Sequence, residues 1–288
     1  MVFPVVASVG ADYISAATTS HVIDLPDSIA SGDLLIAFFT RDGSTGTVTF
    51  PAGLPWTALT GPADAGTSQH YVQYRVAGGS EGTSITVATS ASEEGCAKIL
   101  RITGWHGSTP PAQGTVVTGT TSQNPDPPIL NPADWDVEDT LWIAWFGCNG
   151  QGAVSACPTD YTSNQVSLSQ TACAMGLATR ELAAASDDPG TFTKAGNTPW
   201  SANTFAVRPA AGISGDAALT ATATLTATGS LLSAATASLT GIATVTASAA
   251  ATRLAAAALT GTATVTAEGD VISGAPALPI LVTARGAP

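Results

Sequence analysis

The chain has 288 residues, with 9 Lys+Arg against 21 Asp+Glu, a formal charge of −12, and only 10% of its residues are charged while 44% are hydrophobic. So few cations argue against sequence-independent binding to nucleic acid, which needs Lys and Arg to neutralise phosphates, and against an anionic membrane surface as partner. The hydrophobic content argues against a disordered chain, and the length suits one large domain or two.

The N-terminal stretch Met1-Val2-Phe3-Pro4 has neither a basic segment nor a sustained apolar one, so no signal peptide is expected. The longest apolar runs, 34–39 and 141–146, are six residues each, against the ~20 a membrane helix requires. From there the chain reads as short strands punctuated by turn residues. Segment 21–25 is followed by Pro26-Asp27, 33–40 by Arg41-Asp42-Gly43, 47–50 by Pro51-Ala52-Gly53, and 71–76 by Gly78-Gly79. Segments 83–89 and 98–103 continue the pattern. Regular short strands with Gly and Pro between them predict a β-sandwich of jelly-roll type. The two apolar runs are hydrophobic on both faces, as central strands covered on both sides must be.

Blocks of the first half recur in the second. Asp33 and the apolar run after it match Asp139 and its run; Trp56-Thr57 matches Tyr161-Thr162; Arg75 matches Arg180; Gly82-Thr83 matches Gly190-Thr191. The near-constant spacing predicts an internal pseudo-duplication, with repeats over about 20–105 and 125–208, and makes 180–185 the end of a strand although its composition also suits a helix. One larger sandwich built from both halves is the expected arrangement.

Composition changes near Pro209. All 17 aromatic residues lie at or before Phe205, whereas 24 Ala and 15 Thr make up half of the 78 residues from 211 onward. The boundaries expected are a β-sandwich over 1–209, a linker over 210–216 and an Ala/Thr-rich β-repeat region over 217–288. In that last region the segments beginning Leu219, Leu239 and Leu259 align without gaps at a period of 20. Apolar and small residues alternate with Thr, which is the period of a strand with one apolar and one polar face. An Ala-rich face buries little area, so a lone repeat is unstable and repeats must stack on each other or on other chains.

Chemical motifs are sparse. Cys96, Cys148, Cys157 and Cys173 form no Cys-x-x-Cys pair and have no histidine at zinc-ligand spacing, which predicts free, mostly buried thiols, though a bridge between Cys148 and Cys157 is open. Gly78-Gly79-Ser80-Glu81-Gly82 fits Gly-x-Ser-x-Gly, but a strand follows where the hydrolase motif needs a helix, so a hairpin turn is expected. His21, His70 and His106 have no spaced partner and are expected at surface or edge positions. Asp134 and Asp136 have the spacing to share a face, the minimum for a calcium site. Adjacent acidic pairs such as Glu93-Glu94 point to opposite faces of a strand and do not converge as glycosidase carboxylates do. Of six tryptophans, Trp142 and Trp145 belong to an apolar strand, whereas Trp56 and Trp105 lie near turns and are candidates for stacking on a glycan. No cofactor is implied and no catalytic set is found.

The segments Gly32-Asp33-Leu34-Leu35-Ile36-Ala37-Phe38-Phe39, Tyr74-Arg75-Val76-Ala77-Gly78-Gly79-Ser80-Glu81-Gly82 and Phe205-Ala206-Val207-Arg208-Pro209 resemble domains in virion proteins of tailed bacteriophages. The appended Leu-Thr-Ala-Thr array resembles the Ala/Thr-rich repeats of minor tail proteins and fibres. The resemblance implies a non-enzymatic structural component of the particle, a minor tail or fibre protein or a head-decoration fibre, made in the host cytoplasm and located in the virion. Its partners are then further copies of itself, as a trimer packed through Leu219, Leu225, Leu239, Val245, Leu259 and Val265, and other virion proteins. The alternative is a carbohydrate-binding adhesin that recognises a host surface glycan.

Overall fold

Along residues 34–39, Leu34, Ile36 and Phe38 lie on one face of a strand and Leu35, Ala37 and Phe39 on the other, and all six side chains are buried. A strand of this kind needs an apolar layer on each side, and that requirement organises the whole N-terminal unit. The structure is a computed structural model that describes residues 2–53, 55–150, 152–162, 168–169 and 172–211, together with strands between 217 and 268. The chain divides into two compact units, Met1–Ala211 and Gly212–Pro288. Both are all-β, with no helix among the described residues.

The first half of the N-terminal unit holds β1 (Val5–Asp24), β2 (Leu34–Asp42), β3 (Val48–Thr49), β4 (Thr57–Asp64), β5 (Ser68–Val76) and β6 (Ser84–Thr103). They form an antiparallel sheet in the order β1-β6-β2-β5-β4, with β3 also on β6. Segments 83–89 and 98–103, read as two strands, are the ends of one 20-residue strand. β6 pairs with the equally long β1, and the register slips between Ile14, Thr18 and Ser20. Such bulges bend a strand pair. Past them, Ile23 of β1 and Ile85 and Val87 of β6 lie in one apolar cluster with Leu35, Phe39 and Ile99, so the far end of the pair covers the sheet's outer face.

The second half holds β7 (Ala112–Gln113), β8 (Val117–Ser122), β9 (Glu138–Asn149), β10 (Val154–Ala156), β11 (Leu168–Ser169), β12 (Cys173–Ala184), β13 (Thr193–Lys194) and β14 (Thr198–Val207). Its sheet runs β11-β12-β9-β14-β7, with β8 on β14, and β10 pairs with β13 apart from it. Segment 180–185 falls at the end of a strand, β12. Here too the central strand, β9, is buried on both faces. Its outer face is covered by Leu130, Tyr161 and Phe192 from the connecting segments.

Between the two sheets lies a shared layer: Leu34, Ile36, Phe38, Cys96 and Leu100 from the first, Leu141, Ile143, Trp145, Cys173, Leu177 and Phe205 from the second. Phe38 meets Trp145 at 6.0 Å and Phe205 at 5.6 Å between ring centroids. The unit is therefore a β-sandwich with three apolar layers.

The two halves also run the same course. Each centres on a strand flanked by two antiparallel partners, β6-β2-β5 in one and β14-β9-β12 in the other. Arg101 Nε donates to Asp33 at 2.6 Å at the start of β2, and Arg208 Nε to Glu138 at 2.7 Å at the start of β9. Arg75 of β5 pairs with Glu81 at 3.0 Å and Arg180 of β12 with Asp187 at 3.0 Å. Trp56 lies against Arg75, and Tyr161 donates its hydroxyl to Asp187.

The C-terminal unit holds β15 (Ala217–Thr220), β16 (Thr224–Thr228), β17 (Ala237–Thr240), β18 (Ala243–Ser248), β19 (Ala257–Thr260) and β20 (Ala263–Glu268). They form two parallel sheets, β15-β17-β19 and β16-β18-β20. Each strand pairs with its equivalent twenty residues on, and the register has no slip.

Candidate functional site

The residues expected to pack in the repeat region are brought together by that register. Leu219, Leu239 and Leu259 stand opposite one another across β15, β17 and β19. Leu225, Val245 and Val265 do the same across β16, β18 and β20. A parallel in-register ladder puts identical positions at the same height on every strand, so a period of 20 in sequence becomes columns of like residues. The six residues are first of all neighbours within one chain. The spacers 229–236 and 249–256 lie outside the described residues.

The two candidate glycan contacts stand differently. Trp105 is 7% exposed, belongs to the layer between the sheets, and its indole N–H donates to the Gly32 carbonyl at 2.8 Å. Its ring is core, which corrects its reading as a stacking surface: a turn residue directly after β6 is carried back into the sandwich by that hydrogen bond. Trp56 is half-buried against Phe50, 5.7 Å between centroids, with the Arg75 guanidinium 6.0 Å from its ring. It serves the outer layer of the first sheet and shows part of its surface to solvent.

The Gly-x-Ser-x-Gly segment is a turn between β5 and β6. Ser80 is exposed on it. The buried carboxylate of the turn is Glu81, which accepts from Gly78 N–H at 2.5 Å, Gly79 N–H at 2.9 Å and Arg75 at 3.0 Å. Glycine suits the turn because Gly79 and Gly82 have φ near +89° and +80°, where an L side chain is strained. With residues 24–29 this turn lines an open groove of about 470 Å³, bordered by Asp24, Asp27 and Glu81. Glu81 is fully engaged with the turn and Arg75, so the groove has the geometry of a capped hairpin end.

Two of the three histidines are not at the surface. His70 and His21 are completely buried. His70 lies between the sheets, 3.1 Å from the Thr40 hydroxyl through Nδ1 and 3.1 Å from the Ser68 hydroxyl through Nε2. A neutral imidazole donates to one hydroxyl and accepts from the other, so it is fully satisfied. Its ring edge meets Trp145 at 5.8 Å, and burial pushes its pKa down to about 3. Gly147 of β9 faces this group, and a Cβ there would lie 2.2 Å from His70 Nδ1 and 2.6 Å from Thr40 Oγ1. His21 lies 3.2 Å from the Thr89 hydroxyl and edge-on to Phe39 at 5.3 Å; burial is the main cause of its lowered pKa.

A second buried polar group closes the end of the first sheet. Arg41, completely buried, pairs with Glu93 at 2.8 Å and donates to Gln69 at 2.5 Å and to the Thr45 carbonyl at 2.7 Å. Burial pushes the Glu93 carboxyl up, against the pull of Arg41. The sequence signal for both groups is that the apolar run 34–39 ends in Thr40-Arg41, polar residues inside a strand that continues. Asp134 has φ near +63° and is exposed in a turn before β9. Among the described residues no three His, Cys, Asp or Glu side chains gather as a metal-ligand set.

All four cysteines are free thiols, with Cys96, Cys148 and Cys173 buried and Cys157 half-buried. Cys96 and Cys173 belong to the layer between the sheets, Cys148 and Cys157 to the outer layer of the second. No protein-family model, curated protein or solved structure matches the chain.

Proposed function

We propose that the chain is a non-enzymatic structural component of a tailed-bacteriophage particle, a minor tail or fibre protein or a head-decoration fibre, made in the host cytoplasm and assembled through its repeat region. The observation that carries this reading is the repeat itself: three rungs of twenty residues whose strands pair in register. Ladders built from Ala and Thr bury little apolar area per strand, so their stability grows with what they stack against. A trimer supplies that surface, with Leu219, Leu225, Leu239, Val245, Leu259 and Val265 at its contacts and other virion proteins bound alongside. The formal charge of −12 gives the chain no electrostatic pull toward nucleic acid. The sequence resemblance to virion domains supplies the location.

Two measurements test the proposal. Analytical ultracentrifugation of the full chain gives a trimer, and Leu239→Asp with Val245→Asp lowers its mass to that of a monomer while tryptophan fluorescence stays unchanged. Immunogold labelling then marks intact phage particles at a fixed location. A monomeric full chain with ordered repeats rejects assembly through the repeats, and unlabelled particles reject the virion location.

A further inference from the structure

We propose that the end strands of the repeat ladders are a docking surface for a second copy of this chain, which joins head to tail and continues both sheets. The proposal rests on the reading that the chain assembles through its repeats, and adds which edge meets which and in what direction. Among the described residues, β17 and β18 have a neighbour on both sides, whereas β15, β16, β19 and β20 have one neighbour each. Among those residues, the outer edges of these four strands carry rows of backbone N–H and C=O groups with no strand beside them, a ready template for a further strand.

The ladder itself says what fits those edges. β18 and β20 both read Ala-Thr-Val-Thr-Ala, over 243–247 and 263–267, and β16 reads Thr-Leu-Thr-Ala from 224 in phase with them. All pairings in both sheets are parallel and in one register. β20 therefore offers outward the same edge that β18 offers to β20, and β16 offers outward the same edge that β20 offers to β18. A second copy whose β16 docks on β20 repeats a contact that the chain already makes twice in this sheet. Its β15 meets β19 in the same way in the other sheet. The junction sets Thr224 of the second copy opposite Thr264, Leu225 opposite Val265, and Leu219 opposite Leu259.

Head-to-tail addition keeps the pattern of the faces. Positions 225 and 265 stay on one face of the lengthened sheet and positions 224 and 264 on the other, since successive strand residues alternate. Charge does not oppose the contact. Glu268 is the only charged residue in the six strands, and it stands on the end rung where β18 has Ser248. At a junction it meets Thr228 of the next copy. The next copy's own Glu268 lies three rungs further, about 14 Å at the usual strand spacing and beyond the Debye length at physiological salt.

The two edges that meet are different, so the contact is heterologous, and repeating it builds an open stack rather than a closed pair. In the proposed trimer the copies meet through apolar residues of the strand faces, whereas docking uses backbone groups of the strand edges. The one contact leaves the other free, and a trimer grows by whole multiples.

The test cross-links two variants of the full chain, Thr224→Cys and Thr264→Cys, mixed in equal parts at low concentration, then concentrated and oxidised with glutathione disulfide. Neighbouring strands stand about 4.7–4.9 Å apart, inside the span a disulfide bridges between Cα atoms. Peptide mapping of the mixture finds a dimer linked between positions 224 and 264. Either variant alone stays unlinked, as does the unsubstituted chain with its own four cysteines. In sedimentation, the mass of the unsubstituted chain rises with concentration from the trimer to its multiples. Thr224→Lys with Thr264→Lys in one chain sets like charges directly opposite at every junction but two rungs apart within the chain, and abolishes that rise, whereas each single substitution keeps it. A trimer that never forms the 224–264 link overturns the docking proposal and leaves assembly through the repeats standing. A monomer at every concentration overturns both, and a dimer linked by Thr264→Cys alone overturns the head-to-tail direction. Sedimentation of the unsubstituted chain and the lysine variants decides the matter even where a cysteine variant does not fold.

Discussion

Acid weakens the sandwich through His70. The ring is completely buried between the sheets and its pKa falls from 6.5 to about 3, with burial as the cause. The unfolded chain therefore binds a proton at about 6.5 that the folded chain refuses until about 3. Stability from this group is intact above pH 6.5 and is lost as the pH falls toward 3, at about 1.4 kcal/mol per pH unit within that window. Between pH 7 and pH 5 the loss is about 2 kcal/mol, and over the whole window it approaches 5 kcal/mol. The assay is urea unfolding followed by tryptophan fluorescence. Every tryptophan lies in the sandwich, so the signal reports that unit alone. His70→Gln keeps hydrogen-bonding capacity toward Thr40 and Ser68 but does not titrate. Its stability falls between pH 7 and pH 5 by about 2 kcal/mol less than that of the unsubstituted chain. Equal pH slopes for the two proteins would refute a buried neutral imidazole at this position. His21, also shifted down by burial, contributes in the same direction in both proteins and cancels from the comparison.

Gly147→Ala forces a methyl group onto His70 and Thr40 and costs about 3 kcal/mol, read as a lower urea midpoint with an unchanged slope. Phe38→Ala empties the centre of the shared layer, where the ring meets Trp145 and Phe205, and costs about 3–5 kcal/mol by the same measurement. Glu81→Ala strands Arg75 and two turn N–H groups and costs about 3–5 kcal/mol, whereas exposed Ser80→Ala changes stability by no more than about 0.5 kcal/mol. A serine-directed fluorophosphonate leaves both proteins unlabelled.

The architecture was legible because its causes are local. Two-sided apolar runs announce central strands, Gly and Pro announce turns, and a gapless period of 20 announces stacked strands in one register. Arg75 and Arg180, which match in sequence, each pair with a carboxylate of the turn after their strand, Glu81 and Asp187, which the sequence match alone does not show. The misreadings share one physical reason, long-range closure. Segments 83–89 and 98–103 look like two strands because bulges bend a single one, and pairing with β1 spans that bend. His70 looks exposed until Thr40, 30 residues away, is brought to its Nδ1 and Trp145 of the other sheet to its ring. Trp105 looks like a turn aromatic until Gly32, 73 residues away, accepts its N–H. Contacts of that span leave no local pattern in composition.

The ladders of the C-terminal unit make length a counted quantity. Each block of twenty residues adds one strand to each of two sheets, and so one inter-strand spacing of about 4.7–4.9 Å. Inserting a whole block lengthens the stack by one such increment and preserves every pairing type. Inserting half a block sets unlike residues side by side and breaks the register. A chain built this way can change its reach only in whole steps, like the marks of a ruler.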